Sequence, residues 1–263
     1  MIRHEPGDLV CHASADVCLA DLQTELAAAG QMLAVDLPQA GKLTLRDVFD
    51  ANLAGPRSHR YGEPRDLVLG MTVELADGTV AQCGGRVVKN VAGYDLARLF
   101  TGAQGRLGEI RELWLRLHPL PADACTLVAE PTDPGVLEPL APACVEYAWP
   151  PGQMLVRFES VAAGALARAG QELVGGELVE DDEPLWAEHQ ERAAGLDPAH
   201  CLPADAPAVI DALRAAGAAT VLGRLARGWL LADPQAVAQV APRRPAPPTL
   251  VELEQRVVEA FAG

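Results

Sequence analysis

Six glycines between positions 84 and 108 constrain this chain more than any other feature. They lie in Gly84-Gly85-Arg86-Val87-Val88-Lys89-Asn90-Val91-Ala92-Gly93-Tyr94-Asp95-Leu96 and in Gly102-Ala103-Gln104-Gly105-Arg106-Leu107-Gly108-Glu109-Ile110. Glycine admits left-handed backbone angles and lets another group approach the main chain closely. Spaced by apolar residues, these glycines read either as turn and bulge positions or as a backbone shaped around a ligand. The triplet Gly102, Gly105, Gly108 runs into a strand pattern rather than a helix. Neither the dinucleotide motif G-x-G-x-x-G between strand and helix nor the phosphate loop G-x-x-x-x-G-K-[ST] is present, which disfavours both nucleotide folds.

Around this stretch the chain alternates short strands and helices. Residues 7–13 read as a strand, followed by a helix capped by Asp16 with Val17, Leu19, Leu22 and Leu26 largely on one face. Gln31 to Pro38 reads as extended. This first strand looks interior, as if a neighbour were missing upstream. Thr44 caps a helix ending near Gly55, Ser58 to Gly62 reads as a loop, and Asp66 to Glu74 as a strand. Asp77-Gly78 marks a hairpin turn into Val80–Cys83. A short helix spans Tyr94 to Phe100, and Leu107 to Leu117 forms a strong strand.

The prolines between Pro119 and Ala124 mark a boundary. Beyond it, expected strands at 125–130, 143–149, 153–159, 177–179, 218–222 and 228–231 mix with helices at 133–140, 161–174, 184–194 and 203–217. This half has the pattern of a small α+β domain. Pro242 to Pro248 reads as a stiff linker, and Thr249 caps a last amphipathic helix carrying Leu250, Leu253, Val257 and Phe261.

Composition narrows the function classes. The net charge of −15 repels phosphate backbones and anionic lipid, so nucleic acid and membrane surface are poor partners. No window reaches the length of a membrane span. Met1-Ile2-Arg3-His4-Glu5 lacks the apolar core of a signal peptide, which predicts a cytoplasmic chain. The six cysteines have no C-x-x-C spacing and read as small apolar residues. The histidines show no metal-ligand pattern. The acidic run Glu180-Asp181-Asp182-Glu183 reads as a solvated helix start.

Residues 50–119 resemble part of the FAD-binding domain of the vanillyl-alcohol-oxidase type family, in the branch of the glycolate-oxidase FAD-binding subunits. The text that carries the resemblance is Ala51-Asn52-Leu53-Ala54-Gly55-Pro56-Arg57, Arg60-Tyr61-Gly62, Arg65-Asp66-Leu67-Val68-Leu69-Gly70, and the glycine stretch from Gly84 to Ile110. It implies an α+β protein: a partial flavin-binding domain over residues 1–119, lacking the first subdomain, then a smaller α+β cap domain over 120–263. It also implies FAD as cofactor, with Gly55, Tyr61, Gly62, Lys89, Asn90, Gly102, Gly105, Leu107, Gly108 and Ile110 on its binding wall. Lys89 is placed either against phosphate or in a structural pair with Asp95.

Two departures accompany the resemblance. No pyrophosphate loop precedes Met1, so the chain is expected to be shortened at its start, and at its end as well. Where the family has a second loop close to Gly-Gly-Thr-x-Gly-Gly, this chain reads Lys42-Leu43-Thr44-Leu45-Arg46-Asp47. Two functions follow as expectations. One is an FAD-binding subunit that oxidises a 2-hydroxy acid together with a catalytic flavoprotein and an iron–sulfur subunit. There, Arg57, Arg60 and Arg86 are candidates for the substrate carboxylate. The other is an FAD-free assembly subunit on the same fold. His59 is expected in an exposed loop, with covalent flavin attachment as the alternative.

Overall fold

The computed structural model describes residues 1–85 and 95–240. The fold is α+β, in two compact units. Among the described residues, unit 1 holds Met1–Gly55 and Tyr61–Leu120, and unit 2 holds Pro56–Arg60 and 121–240. The expected linker at Pro242–Pro248 and the helix after Thr249 fall outside the described residues.

Unit 1 begins with β1 (Ile2–Glu5) and β2 (Val10–Ser14), followed by α1 (Leu19–Ala27), β3 (Gln31–Met32) and α2 (Leu45–Asp50). A helical turn α3 (Ser58–Tyr61) and another, α4 (Pro64–Leu67), lead to β4 (Val68–Glu74) and β5 (Val80–Gly84). Then come α5 (Leu96–Phe100), β6 (Glu109–Arg116) and β7 (His118–Pro119). Five strands form an antiparallel sheet in the order β1-β2-β6-β4-β5. The strand expected at 7–13 starts later, because Pro6–Asp8 is a 3-10 turn. That strand is interior, as expected, yet β1 of the same chain supplies its neighbour. Four residues with only one apolar side chain, Ile2, gave no sequence signal for β1.

The core of unit 1 is one face of this sheet closed by α1 and α2. Cys11 and Ala13 of β2, Leu113 and Leu115 of β6, and Leu19, Leu22 and Leu26 of α1 have no exposed surface. The spacing of the three leucines puts them on one helical stripe. Only Gln31–Met32 of the expected 31–38 segment is a strand. The rest is buried irregular chain whose polar groups are met by one side chain. Gln23 Nε2 donates to the carbonyls of Leu33 (2.6 Å) and Val35 (3.1 Å), while its Oε1 accepts from Leu33 N (3.1 Å). An amide thus substitutes for a strand partner, satisfying buried backbone that would otherwise be costly.

Unit 2 contains β8 (Ala124–Ala129), β9 (Cys144–Trp149), β10 (Gln153–Glu159), α6 (Ala163–Val174), β11 (Glu177–Val179) and α7 (Glu183–Ala193). It continues with β12 (Asp197–His200), α8 (Ala206–Ala215), β13 (Val221–Arg224), β14 (Trp229–Ala232) and α9 (Pro234–Val240). Its seven strands pair antiparallel in the order β11-β8-β10-β9-β13-β14-β12. β12 and α9 were not expected from sequence. The helix expected at 133–140 is a pair of 3-10 turns, Pro134–Val136 and Glu138–Leu140, because each carries a proline at its start. One sheet face is apolar, with Leu127, Val145, Val156 and Phe158 under α6. Small residues let that helix lie close: a Cβ on Gly170 would stand 3.2 Å from Leu127 Cδ2.

Phe158 has no exposed surface. Its replacement by Ala is expected to destabilise the protein by about 3–5 kcal/mol, through lost burial and the cavity left under α6. Urea unfolding followed by circular dichroism checks this, and a loss under about 1 kcal/mol would show that this face is not the core.

Candidate functional site

The glycine-rich wall belongs to unit 1. Its first part is only partly visible, since Arg86, Lys89 and Asn90 fall outside the described residues. Asp95, expected to pair with Lys89, caps α5 by accepting from Arg98 N and pairs with Arg98 Nε at 3.1 Å. The second part, from Gly102 to Ile110, is fully described. It is pinned to the end of α2: Gly102 N donates to Phe49 O (2.9 Å) and Gln104 N to Asp50 O (2.9 Å).

Most of the expected wall residues are accounted for by the chain's own packing. A Cβ on Gly55 would overlap the Asp36 carbonyl, and one on Gly62 would come within 2.8 Å of Asp66 Cβ. A Cβ on Gly108 would stand 3.0 Å from Glu74 O. Leu107 and Ile110 are buried in the core of unit 1. Tyr61 packs its ring on His118, centroids 4.8 Å apart. Gly102 faces Asn52 Cβ at 3.4 Å. Gly105 differs: its φ of +72° needs a residue tolerant of the left-handed region, and the space where a side chain would project is open. Gln104, Gly105 and Arg106 are all exposed.

Beside this turn lies a group the sequence reading did not single out. Asp50 Oδ1 is buried and has no hydrogen-bond partner. Burial pushes the Asp50 carboxyl above the usual range, against the opposing pull of Arg46. The segment expected to correspond to a glycine loop is instead a closed helix start. Thr44 and Asp47 form a reciprocal capping box at the start of α2. Arg46 Nε donates to Ile110 O (3.1 Å), and its Nη2 pairs with Asp16 (2.7 Å) and Glu109 (3.2 Å). Hydrogen bonds from Thr44 hold the Asp47 carboxyl below its ordinary value. The described wall is thus open at the turn Gln104–Arg106, next to Asp50, whose main-chain carbonyl accepts from Gln104 N, while its Thr44–Asp47 edge is filled by protein.

A second polar cluster lies within unit 2, on the sheet face opposite the apolar one. Arg157 stands across from Thr126 in the register, and Glu146, Glu159 and Arg224 point to the same side. All five are buried. Arg157 donates to Asp182 Oδ1 (2.7 Å) and Oδ2 (3.0 Å) and to Glu183 Oε1 (2.7 Å). Thr126 Oγ1 donates to Asp182 Oδ2 (2.7 Å) and accepts from Trp186 Nε1 (2.8 Å). Arg224 Nε donates to Glu146 Oε1 (2.9 Å), whose other oxygen lies 3.5 Å from His189 Nε2. Burial pushes the Glu146 carboxyl up, but Arg224 and the His189 hydrogen bond outweigh it and hold it low.

Three expectations change here. Asp182 is buried, not part of a solvated acidic start, because it answers Arg157. Arg57, a candidate for substrate carboxylate, donates from Nε (3.0 Å) and Nη2 (2.8 Å) to Glu159 Oε1, and Arg60 Nη1 donates to Glu159 O (2.9 Å). His59 sits in a helical turn, its side chain only 7% exposed and 3.2 Å from Glu138, so it is not an exposed loop residue. An open cavity of about 760 Å³ also lies on unit 2, lined among others by Pro134, Tyr147, Ile210 and Arg214. It includes none of the residues expected at the cofactor wall. Among the described residues, no group of three His, Cys, Asp or Glu could hold a metal, and no helix is long and apolar enough to cross a membrane.

Part of the chain is similar to known proteins. Residues 1–84 match the family model described as FAD binding domain. A subunit of glycolate oxidase from Escherichia coli K12, GlcE, is 37% identical over 131 residues, covering 49% of this chain and 37% of that protein. The mitochondrial D-2-hydroxyglutarate dehydrogenase of Bos taurus is 37% identical over 116 residues, covering 44% of this chain and 21% of the relative. The matched stretch spans only 37% and 21% of the length of these two relatives. A solved structure of alkyldihydroxyacetonephosphate synthase shares the fold, with a TM-score of 0.68 over 98% of this chain and 62% of that one, at 13% identity.

Two substitutions test the polar cluster of unit 2. Arg157→Met strands the Asp182 carboxylate in the interior and is expected to cost about 3–5 kcal/mol in urea unfolding; a loss near zero would show that the cluster is hydrated. His59 is pushed below the ordinary imidazole value of 6.5, chiefly by burial, with Glu138 offsetting only part. The unfolded chain therefore takes up this proton more readily than the folded one. The His59 contribution is full above pH 6.5 and declines as pH falls below it toward the depressed folded value. Unfolding curves of wild type and His59→Asn between pH 7.5 and 5, read as about one pH unit per step, are expected to converge on acidification. Parallel curves would remove His59 from the acid response.

Proposed function

We propose that this chain is the FAD-binding subunit of a glycolate oxidase- or dehydrogenase-like complex that oxidises a 2-hydroxy acid. The observation that carries the reading is the FAD binding domain match over residues 1–84, joined to an exposed turn at Gly105 with room for a ligand against its backbone. Glycolate and D-2-hydroxyglutarate, for which the two relatives are named, are both 2-hydroxy acids, which supports the substrate class. GlcE is itself named a subunit, which supports work alongside a partner subunit; this reading assigns that role to a catalytic flavoprotein and adds an iron–sulfur subunit.

In this reading Gly102, Gly105 and Gly108 shape the turn that holds the cofactor, and Gly55, Tyr61, Gly62, Leu107 and Ile110 support it through packing. Lys89 and Asn90 belong to the same wall. When bound, FAD supplies the acceptor for the two electrons of the alcohol, and the protein supplies position and electrostatics. Of the arginines considered for the substrate carboxylate, Arg57 and Arg60 are held by Glu159, which leaves Arg86 as the candidate.

FAD titration of the purified chain tests the proposal through flavin absorption and fluorescence. Gly105→Asn keeps a residue that tolerates left-handed angles while filling the open space, and is expected to weaken FAD uptake about tenfold or more without changing thermal stability by more than a few degrees. Equal affinity in the variant would remove Gly105 from the site. A colourless chain that takes up no FAD and co-purifies with a flavoprotein would replace the reading with an FAD-free assembly role.

A further inference from the structure

The open cavity of about 760 Å³ lies wholly within unit 2. It borders the second apolar cluster of that unit, where Leu213, Val221 and Leu230 pack, and Tyr147 and Ile210 belong to both. One side is a stripe of α8: Ala206, Ile210 and Arg214 follow one another four residues apart and so share a helical face. Leu225 and the turn at Pro134 also line it. Four of the lining residues are prolines: Pro131, Pro134, Pro203 and Pro207. Their fixed φ stiffens the walls, so the space is preformed rather than opened by a ligand.

Polar groups gather in one region of this cavity. Tyr147 is 5% exposed and lines the space, and its hydroxyl has no hydrogen-bond partner among the described residues. Burial pushes the phenol up, Arg214 pulls it down and Asp211 pushes it up again, so the hydroxyl keeps its proton. Arg214 lays its guanidinium on the Trp149 ring, 5.0 Å from the centroid, and Nη1 donates to Asp211 Oδ1 at a long 3.5 Å. Its other N–H groups have no acceptor among the described residues. The Tyr147 O–H and the Arg214 N–H groups are all donors, which one acceptor oxygen satisfies together. Charge limits what carries that oxygen. Asp133, Glu138 and Asp211 line the cavity against the single guanidinium of Arg214, a field that repels an anion.

We propose that this cavity is a small-molecule site for an uncharged aromatic ligand that bears a carbonyl oxygen. The carbonyl accepts from the Tyr147 hydroxyl and from Arg214, and the flat body lies against proline rings, Ile210 and Leu225. The volume falls in the range of about 300–1,000 Å³ typical of such sites, and an apolar lining with a few convergent polar groups is their usual make-up. Carboxylates, 2-hydroxy acids among them, are disfavoured here by the acidic lining. The site requires nothing of unit 1, so it stands whether or not the chain holds FAD.

Nile red, an uncharged planar dye with one carbonyl, tests this on the full chain through its fluorescence. It is expected to bind saturably at one dye per chain. Tyr147→Phe keeps the ring and is expected to weaken binding about tenfold through the lost hydroxyl. Ala204→Trp, at an exposed lining position, is expected to abolish binding by filling the space. Circular dichroism checks that both variants keep the wild-type fold; if Tyr147→Phe does not, Arg214→Met removes the other donor and is expected to weaken binding as well. Displacement of the dye separates ligand classes. The uncharged ketone 2-acetylnaphthalene is expected to compete about tenfold or more better than 2-naphthoate, which has nearly the same shape and a negative charge. No dye uptake, uptake that does not saturate, or uptake that folded variants leave unchanged would overturn the proposal. Equal or better competition by 2-naphthoate would overturn the ligand class.

Discussion

Unit 2 depends on a carboxylate with no exposed side-chain surface. Glu159 ends β10 and is met by Arg57 from a distant part of the sequence and by Arg157 from its own strand, at 2.8 and 3.5 Å. Removing a charge from water costs several kcal/mol, recovered only when its partners are well placed. That cost propagates. Arg157, drawn toward Glu159, needs a further acceptor and finds it in Asp182. Asp182 immediately precedes α7, so its position sets where that helix starts. The start of α7 then brings Trp186 to Thr126 and His189 to Glu146. One buried carboxylate thus ties together a strand end, the start of α7 and the segment Pro56–Arg60.

An all-apolar face would bury as much surface with less desolvation, and replacing buried ion pairs by packed hydrophobes is often stabilising. What charge adds is selection. An apolar face accepts any amphipathic cover, whereas this one accepts only covers bearing complementary groups at matching places. The segment Pro56–Arg60 provides Arg57 for Glu159 and Ser58 for Arg224, and α7 provides His189 for Glu146. The opposite face of the same sheet shows the other solution. There Ala163, Ala167 and Gly170 of α6 bring its backbone close to Leu127 and Phe158, so that shape rather than charge specifies the fit.

How much of this was legible in the sequence follows from the range of each interaction. Periodic apolar patterns gave α1, α6, β6 and β10, since a stripe of leucines or an alternating run is a local property. Thr44 as a helix cap was legible for the same reason, although its helix ends at Asp50, earlier than the pattern suggested, and its reciprocal pairing with Asp47 was not. β1 was missed because edge strands need little hydrophobicity, and the 31–38 segment was misread because Gln23 satisfies it from α1. The buried state of Asp182, Glu159 and His59 was invisible. A charged residue reads as solvated until its partner, 25 to 102 positions away in the cases of Arg157–Asp182 and Arg57–Glu159, is known.

The glycine stretch carries two constraints that sequence alone cannot separate. Gly55, Gly62 and Gly108 are required because another part of the chain occupies the place of a side chain, and any ligand role is additional to that. Gly105 has no such neighbour, so its backbone is demanded by the turn and its missing side chain leaves free space. Only at such a position does glycine speak for a ligand without a competing explanation from packing. In the proposed reading, Gly105 and the Asp50 oxygen without a hydrogen-bond partner are what the described residues offer a cofactor. The remaining glycines of the pattern hold that turn in place by letting α2, β4 and the 102–108 segment approach one another.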